Sequence, residues 1–182
     1  MTFEMLHATQ FPRERILGMA GTLDSSRFKA ALAEAAGVTT ADVKAITLGS
    51  HGDEMTPIPS LSRIKDRPLD RFLSQVEIDA CVHDAVIGGG QVVSLKKSGS
   101  ATIAPAHGVI ELLDHMRGAR TGPVPVSIMM EGEFGIEGVV LGIPAHLGMS
   151  GLIKVEELPL TETEKANLQS AAEAIRNRLT TL

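Results

Sequence analysis

Residues 124–158 consist of short runs of β-branched and aliphatic residues that are interrupted repeatedly by glycine and proline. Runs of this kind are typical of short strands, and the glycines and prolines mark the turns between them. The segment therefore predicts a twisted antiparallel meander. A chain of 182 residues that contains such a meander fits one domain of ordinary size.

The sequence around this meander is mostly helical. Thr161 and Glu164 have the spacing of a capping box, and an apolar stripe at helical spacing follows them to the C-terminus. Two short apolar runs, at residues 16–19 and 45–48, predict strands. Further helices are predicted at residues 2–10, 23–36, 76–97 and 102–117, with one helical turn at 69–73. We therefore expect a single α+β domain over residues 1–182, with helices packed on a twisted, mainly antiparallel sheet.

Composition excludes several classes of protein. The formal net charge is -5 and no run of basic residues is present, which argues against a nucleic-acid partner. No stretch reaches the roughly 18 apolar residues that are needed to span a bilayer. The single cysteine, Cys81, cannot form an intrachain disulfide and suits a reducing compartment. A cytoplasmic location is the expectation.

Asp24 and Arg27 lie three residues apart at the start of a predicted helix, so they share one of its faces. One helix end would then present a carboxylate able to orient a base together with a guanidinium able to bind an anion. In the simpler alternative, Asp24 or Ser25 caps the helix and Arg27 is a solvated charge. The spacing alone leaves both interpretations open.

His51 lies between Gly49 and Gly52, directly after a predicted strand. A histidine at a strand end is well placed to face a cleft, and its imidazole titrates nearest neutral pH, which suits it to accept or return a proton. The alternative is a turn in which the glycines serve backbone geometry and His51 is merely exposed. The motif alone favours neither interpretation.

Taken in order, these two segments resemble the catalytic portion of the lactate/malate dehydrogenase family. LDSSRF is followed, 24 residues after its arginine, by the histidine of GSHGDEMTPIP. Within the family, the resemblance is to bacterial malate dehydrogenases built like lactate dehydrogenase. It extends through nearly the whole chain, in ILGMAGTLDSSRF, GGGQVVSLKKSGSATIAPA and EGEFGIEGVVLGIPAHLG. It implies the fold of that family's C-terminal, substrate-binding domain.

The resemblance implies a role for four residues. His51 matches the proton acceptor that removes the hydroxyl proton of a 2-hydroxy acid while hydride moves to NAD. Asp24 matches the carboxylate that orients this imidazole, and the pairing should raise the pKa of His51. Arg27 matches the residue that binds the substrate carboxylate. Ser100 falls in the loop that lines the substrate and nicotinamide pocket, so His51 and Ser100 are expected to contact the cofactor as well.

The sequence contains no GxGxxG turn, with which the family's other domain binds the pyrophosphate of NAD. The triple glycine at residues 88–90 is no substitute, because it lies inside a predicted helix without a preceding strand. We therefore expect that the NAD-binding half is absent, that the chain is inactive alone, and that it self-associates or pairs with such a half. The expected substrate is a small 2-hydroxy or 2-oxo dicarboxylate.

The sequence leaves two alternative functions open and argues against a metal site as part of any of them. The chain could be a non-catalytic oligomerisation or interaction domain derived from this family. It could also belong to a lactate-type 2-hydroxy acid dehydrogenase, because malate is favoured over lactate by overall resemblance alone. A metal site is not expected, since the six histidines show no HExxH or other tight ligand spacing and the one cysteine has no partner.

Overall fold

The computed structural model describes residues 1–52, 54–96 and 102–180. Among the described residues, four α-helices and six short strands lie before residue 117, and three longer strands and one α-helix follow. The helices are α1 Thr2–Thr9, α2 Thr22–Ala35, α3 Gln75–Lys96, α4 Ile103–Met116 and α5 Glu162–Leu179. The strands are β1 Gly18–Met19, β2 Val43–Lys44, β3 Thr47–Gly49, β4 Met55–Pro57, β5 Arg63–Ile64, β6 Arg67–Pro68, β7 Val124–Glu131, β8 Glu137–Gly148 and β9 Gly151–Val155.

The main sheet is antiparallel throughout, in the order β1-β7-β8-β3-β4, and β9 also pairs with β8. Strands β7, β8 and β9 form the meander predicted from residues 124–158. The register shifts between Met129 and Glu131 and again between His146 and Leu147. Such bulges increase the local twist of a sheet. The predicted α+β architecture, with helices on a twisted antiparallel sheet, is confirmed.

A second, three-stranded sheet in the order β2-β5-β6 was not predicted. Each of its strands has two residues, too few to show an alternating pattern. Lys65 and Asp66 connect β5 to β6, and both have positive φ, of 48° and 61°. Two-residue hairpin turns with this backbone usually contain Asn-Gly or a similar pair, so the sequence lacks the ordinary signal for this hairpin.

The core has two parts. In the first, the main sheet packs against Leu112 of α4 and against Leu168 and Ala172 of α5. In the second, α2 packs against α3 and the small sheet, with Phe28 fully buried between them. The buried apolar members of this second part are Phe28, Leu32, Ala33, Val43, Ile64, Leu69, Leu73, Ile78, Cys81 and Ala85. Helix α2 therefore receives its position from α3 and the small sheet as well as from the main sheet.

The predicted helices all form, with ends that shift by one or two residues. At the start of α5, the Thr161 hydroxyl accepts a bond from the Glu164 amide and the Glu164 carboxylate accepts one from the Thr161 amide, which confirms the capping box. Glu164 also accepts bonds from the amide and hydroxyl of Ser60, so the cap ties α5 to the segment after β4. Among the described residues, no helix is both long and apolar enough to cross a membrane.

Candidate active site

Asp24 lies in the first turn of α2 and is almost fully buried. The helix begins immediately after Gly21, whose φ is +69°. A Cβ at this position would lie 2.4 Å from Cβ of Pro125 in β7, so glycine permits both the turn and the close approach to the sheet. In the same turn, the Ser25 hydroxyl accepts a 2.9 Å bond from the Thr47 amide. Contacts with β7 and β3 of the main sheet therefore fix the start of α2.

His51 follows β3 after one further residue. Gly49 ends that strand with a φ of +87° and pairs with Gly142 of β8. A Cβ at Gly142 would lie 2.7 Å from the Gly49 carbonyl oxygen, so the two strands come closer here than any side chain would allow. Sequence reasoning did not identify Gly142. A glycine inside a predicted strand, which often marks a close backbone approach, was the available signal.

The structure brings His51 and Asp24 together, although they are 27 residues apart in the sequence. Nδ1 of His51 lies 2.9 Å from Oδ1 of Asp24 and 3.1 Å from Oδ2. An ionised carboxylate only accepts hydrogen bonds, so this contact favours the tautomer with the proton on Nδ1. The His51 side chain is 53% exposed, whereas that of Asp24 is 2% exposed. The bond to Asp24 fixes the orientation of the ring, and Nε2 is left without a proton and able to accept one.

Arg27 approaches the same carboxylate from one helical turn away. Its Nη1 donates a 3.1 Å bond to Oδ1 of Asp24, and its side chain is 19% exposed. On the other side, α3 passes at Gly88, where a Cβ would lie 3.8 Å from Cδ of Arg27. A guanidinium has five N–H donors in a planar fork, so this bond leaves donors for a second anion. The three predicted residues thus form one connected cluster around Asp24.

Electrostatics within this cluster act on His51 in both directions. The hydrogen bond that His51 donates to Asp24 is the largest influence and raises the pKa of His51 above its ordinary value. Partial burial lowers the pKa, the negative charge of Asp24 raises it, and the positive charge of Arg27 lowers it. The net effect is a raised pKa, in the direction that the sequence predicted.

These opposing influences give a prediction for two variants. Asp24→Asn removes the carboxylate, so the pKa of His51 should fall, whereas Arg27→Gln removes a nearby cation, so the pKa should rise further. Both pKa values are measured by NMR titration of the His51 imidazole. If both variants moved the pKa in the same direction, the charges of this cluster would not control the titration of His51.

The remaining predicted site residue, Ser100, lies outside the described residues. Among the residues that are described, no group of three or more His, Cys, Asp or Glu side chains could hold a metal ion. The triple glycine lies in α3, as predicted, and Gly88 contributes there to the packing of Arg27. The sequence contains no GxGxxG turn for the pyrophosphate of a dinucleotide.

Residues 21–182 match the model of the lactate/malate dehydrogenase, alpha/beta C-terminal domain. The chain is 35% identical over all 182 residues to a malate dehydrogenase of Roseiflexus castenholzii, of which it covers 59%. It is 37% identical over 177 residues to a malate dehydrogenase of Geobacillus kaustophilus, covering 97% of this chain and 57% of that protein. The chain thus spans less than two thirds of the length of these curated relatives.

Solved structures give the same result. The malate dehydrogenase of Aeropyrum pernix superimposes with a TM-score of 0.94 at 35% identity, covering the whole of this chain and 60% of that one. A lactate dehydrogenase of Cryptosporidium parvum, complexed with lactic acid and nicotinamide adenine dinucleotide, superimposes with a TM-score of 0.88 at 30% identity. It covers 94% of this chain and 56% of that one.

Proposed function

Because the chain belongs to the lactate/malate dehydrogenase family, whose C-terminal domain it matches, we propose that it supplies the proton-transfer and substrate-binding residues of an NAD-dependent malate dehydrogenase. One observation carries the proposal: the buried carboxylate of Asp24 holds both the imidazole of His51 and the guanidinium of Arg27. A base and an anion-binding group are what the oxidation of a 2-hydroxy acid requires of a protein. A cytoplasmic location is part of the proposal.

In this reaction, Nε2 of His51 accepts the proton of the substrate hydroxyl, and the C2–H bond loses a hydride. NAD, when bound, would supply the hydride acceptor, because no amino-acid side chain accepts a hydride. Asp24 keeps the proton on Nδ1 and stabilises the imidazolium that forms, because its negative charge lies 2.9 Å from the ring. In the reverse direction, His51 returns the proton to the carbonyl oxygen of the 2-oxo acid.

Arg27 binds the carboxylate next to the reacting carbon in this proposal. Its planar fork matches two carboxylate oxygens, and its limited exposure reduces competition from water. The existing bond to Asp24 fixes the guanidinium relative to His51, so the bound substrate is held near the base. Ser100 is proposed to line the same pocket on the side of the nicotinamide, with His51.

We propose that NAD binding requires a dinucleotide-binding domain in addition to these residues. The lack of GxGxxG in this sequence supports the requirement. Helix α4 supports pairing with such a domain or with a second copy, because it exposes large apolar side chains to solvent. These side chains are Ile103, Val109, Ile110 and Leu113. The same exposed face is what a non-catalytic oligomerisation domain would present, and this is the second candidate function.

The two candidates are separated by reconstitution. The dinucleotide-binding domain of an NAD-dependent malate dehydrogenase is supplied as a separate chain and, in a second sample, fused to the N-terminus. We expect NADH formation from malate with NAD, faster than from lactate, and we expect sedimentation to show a complex in the unfused sample. A folded fusion that forms no NADH from either acid would favour the non-catalytic candidate. Faster NADH formation from lactate than from malate would identify lactate, and not malate, as the substrate.

A further inference from the structure

The loop that carries His51 is attached to the rest of the molecule on two sides. It connects β3 to β4, and it is closed by backbone bonds from the Ser50 amide to the Glu54 carbonyl and from the Met55 amide to the Gly52 carbonyl. His51, near one end, bonds to Asp24 of α2. Glu54, at the other end, contacts the C-terminal helix.

Glu54 forms an ion pair with Arg178 in the last turn of α5, 124 residues later in the chain. The Glu54 side chain is 20% exposed and that of Arg178 is 56% exposed, so the pair lies at the surface with its carboxylate end partly buried. Removing the guanidinium takes away the group that holds the Glu54 carboxylate in place, so the segment that carries Glu54 gains freedom to move. The segment in this case is the end of the His51 loop.

Helix α5 provides a fixed point for this attachment. Its first turn is held by the capping box and by Ser60, and Leu168 and Ala172 are buried in the core against the sheet. Arg178 lies beyond these contacts. Because these contacts hold the helix, loss of the Arg178 charge should weaken the attachment of the loop to α5 without displacing the helix.

We propose that Glu54 and Arg178 are positioning residues for the reaction: their ion pair fixes the far end of the His51 loop, so that the imidazole stays in contact with Asp24. This inference rests on the proposed function, since it gives His51 the role of base. It extends the site to the C-terminal helix. The motifs around His51 and Asp24 include no residue of that helix.

Two variants of opposite charge test the proposal in the full chain. Through-space electrostatics alone requires Arg178→Gln to raise the pKa of His51, because a cation is removed, and Glu54→Gln to lower it, because an anion is removed. Loss of positioning instead weakens the bond to Asp24 in both variants. We therefore expect the pKa of His51 to fall in both, by about half a pH unit, as measured by NMR titration of the imidazole.

Two further variants provide the controls. Arg176→Gln removes an arginine two residues earlier in α5, which bonds to Glu173 and to the Glu137 carbonyl of β8 and, among the described residues, to no part of the loop. Its melting temperature should be similar to that of Arg178→Gln, but the pKa of His51 should be unchanged. Arg178→Lys keeps the charge and should restore most of the wild-type value.

The outcomes separate this inference from the proposed function. A rise in the pKa of His51 in Arg178→Gln, or no change, would overturn the positioning role while leaving the Asp24–His51 pair intact. A wild-type His51 whose pKa did not fall in Asp24→Asn would overturn the pair itself, and with it the proposed function.

Discussion

The His51→Asn variant, fused to a dinucleotide-binding domain, is expected to oxidise malate about 10² to 10⁴ times more slowly than the wild type. Asparagine is similar in size and retains a group that can bond to Asp24, but it cannot accept the hydroxyl proton at neutral pH. Substrate binding through Arg27 is separate from this step, so KM should change much less than kcat. Steady-state rates of NADH formation measure both quantities.

The matched control for this variant is His83→Asn. His83 is exposed on α3, so its replacement should leave the rate unchanged. A His51→Asn enzyme that kept more than about a tenth of the wild-type kcat would show that another group takes the proton, because general acid–base catalysis contributes more than tenfold.

The largest effect on stability is expected for Phe28→Ala, at about 3 to 5 kcal/mol of unfolding free energy. Phe28 is fully buried between α2, α3 and the small sheet, and it follows Arg27 directly in α2. The substitution removes a ring from a closely packed site and leaves a cavity that its neighbours cannot fill completely. Urea unfolding followed by circular dichroism gives the free energy.

Phe72→Ala is the control for burial, since Phe72 is 36% exposed. Its replacement should cost clearly less, because less buried apolar surface is lost on mutation. Equal losses in the two variants would contradict the assignment of Phe28 to the core that positions α2. A smaller loss at Phe28 than at Phe72 would do so more strongly.

The features that the sequence predicted are those encoded by local patterns. The capping box of Thr161 and Glu164 needs only a spacing of three residues, and α5 begins where it predicts. The meander was predicted because glycine and proline separate its β-branched runs. The small sheet was missed because two-residue strands have no periodicity, and the turn at Lys65 and Asp66 contains neither glycine nor asparagine.

The site shows the same division. The helical spacing of Asp24 and Arg27 predicted that they share a face, and Nη1 of Arg27 indeed bonds to Asp24. The contact of Asp24 with His51 joins two elements that are distant in the sequence, so only resemblance to a family predicted it. The ion pair of Glu54 with Arg178 spans 124 residues. Glu54 lies in the segment GSHGDEMTPIP, but no local pattern connects it with Arg178, so neither residue was predicted as part of the site.

In the proposed function, His51, held by Asp24, is the base that accepts the proton from malate. The most direct test is the pH dependence of kcat/KM for malate oxidation by the fused enzyme, compared with the NMR titration of His51. The base must be neutral, so kcat/KM should rise with pH through the raised pKa of His51 and level off above it. In Asp24→Asn, both the kinetic and the NMR pKa should move to lower values. A kinetic pKa that differs from that of His51, or that stays in place when Asp24→Asn shifts the NMR value, would contradict the claim.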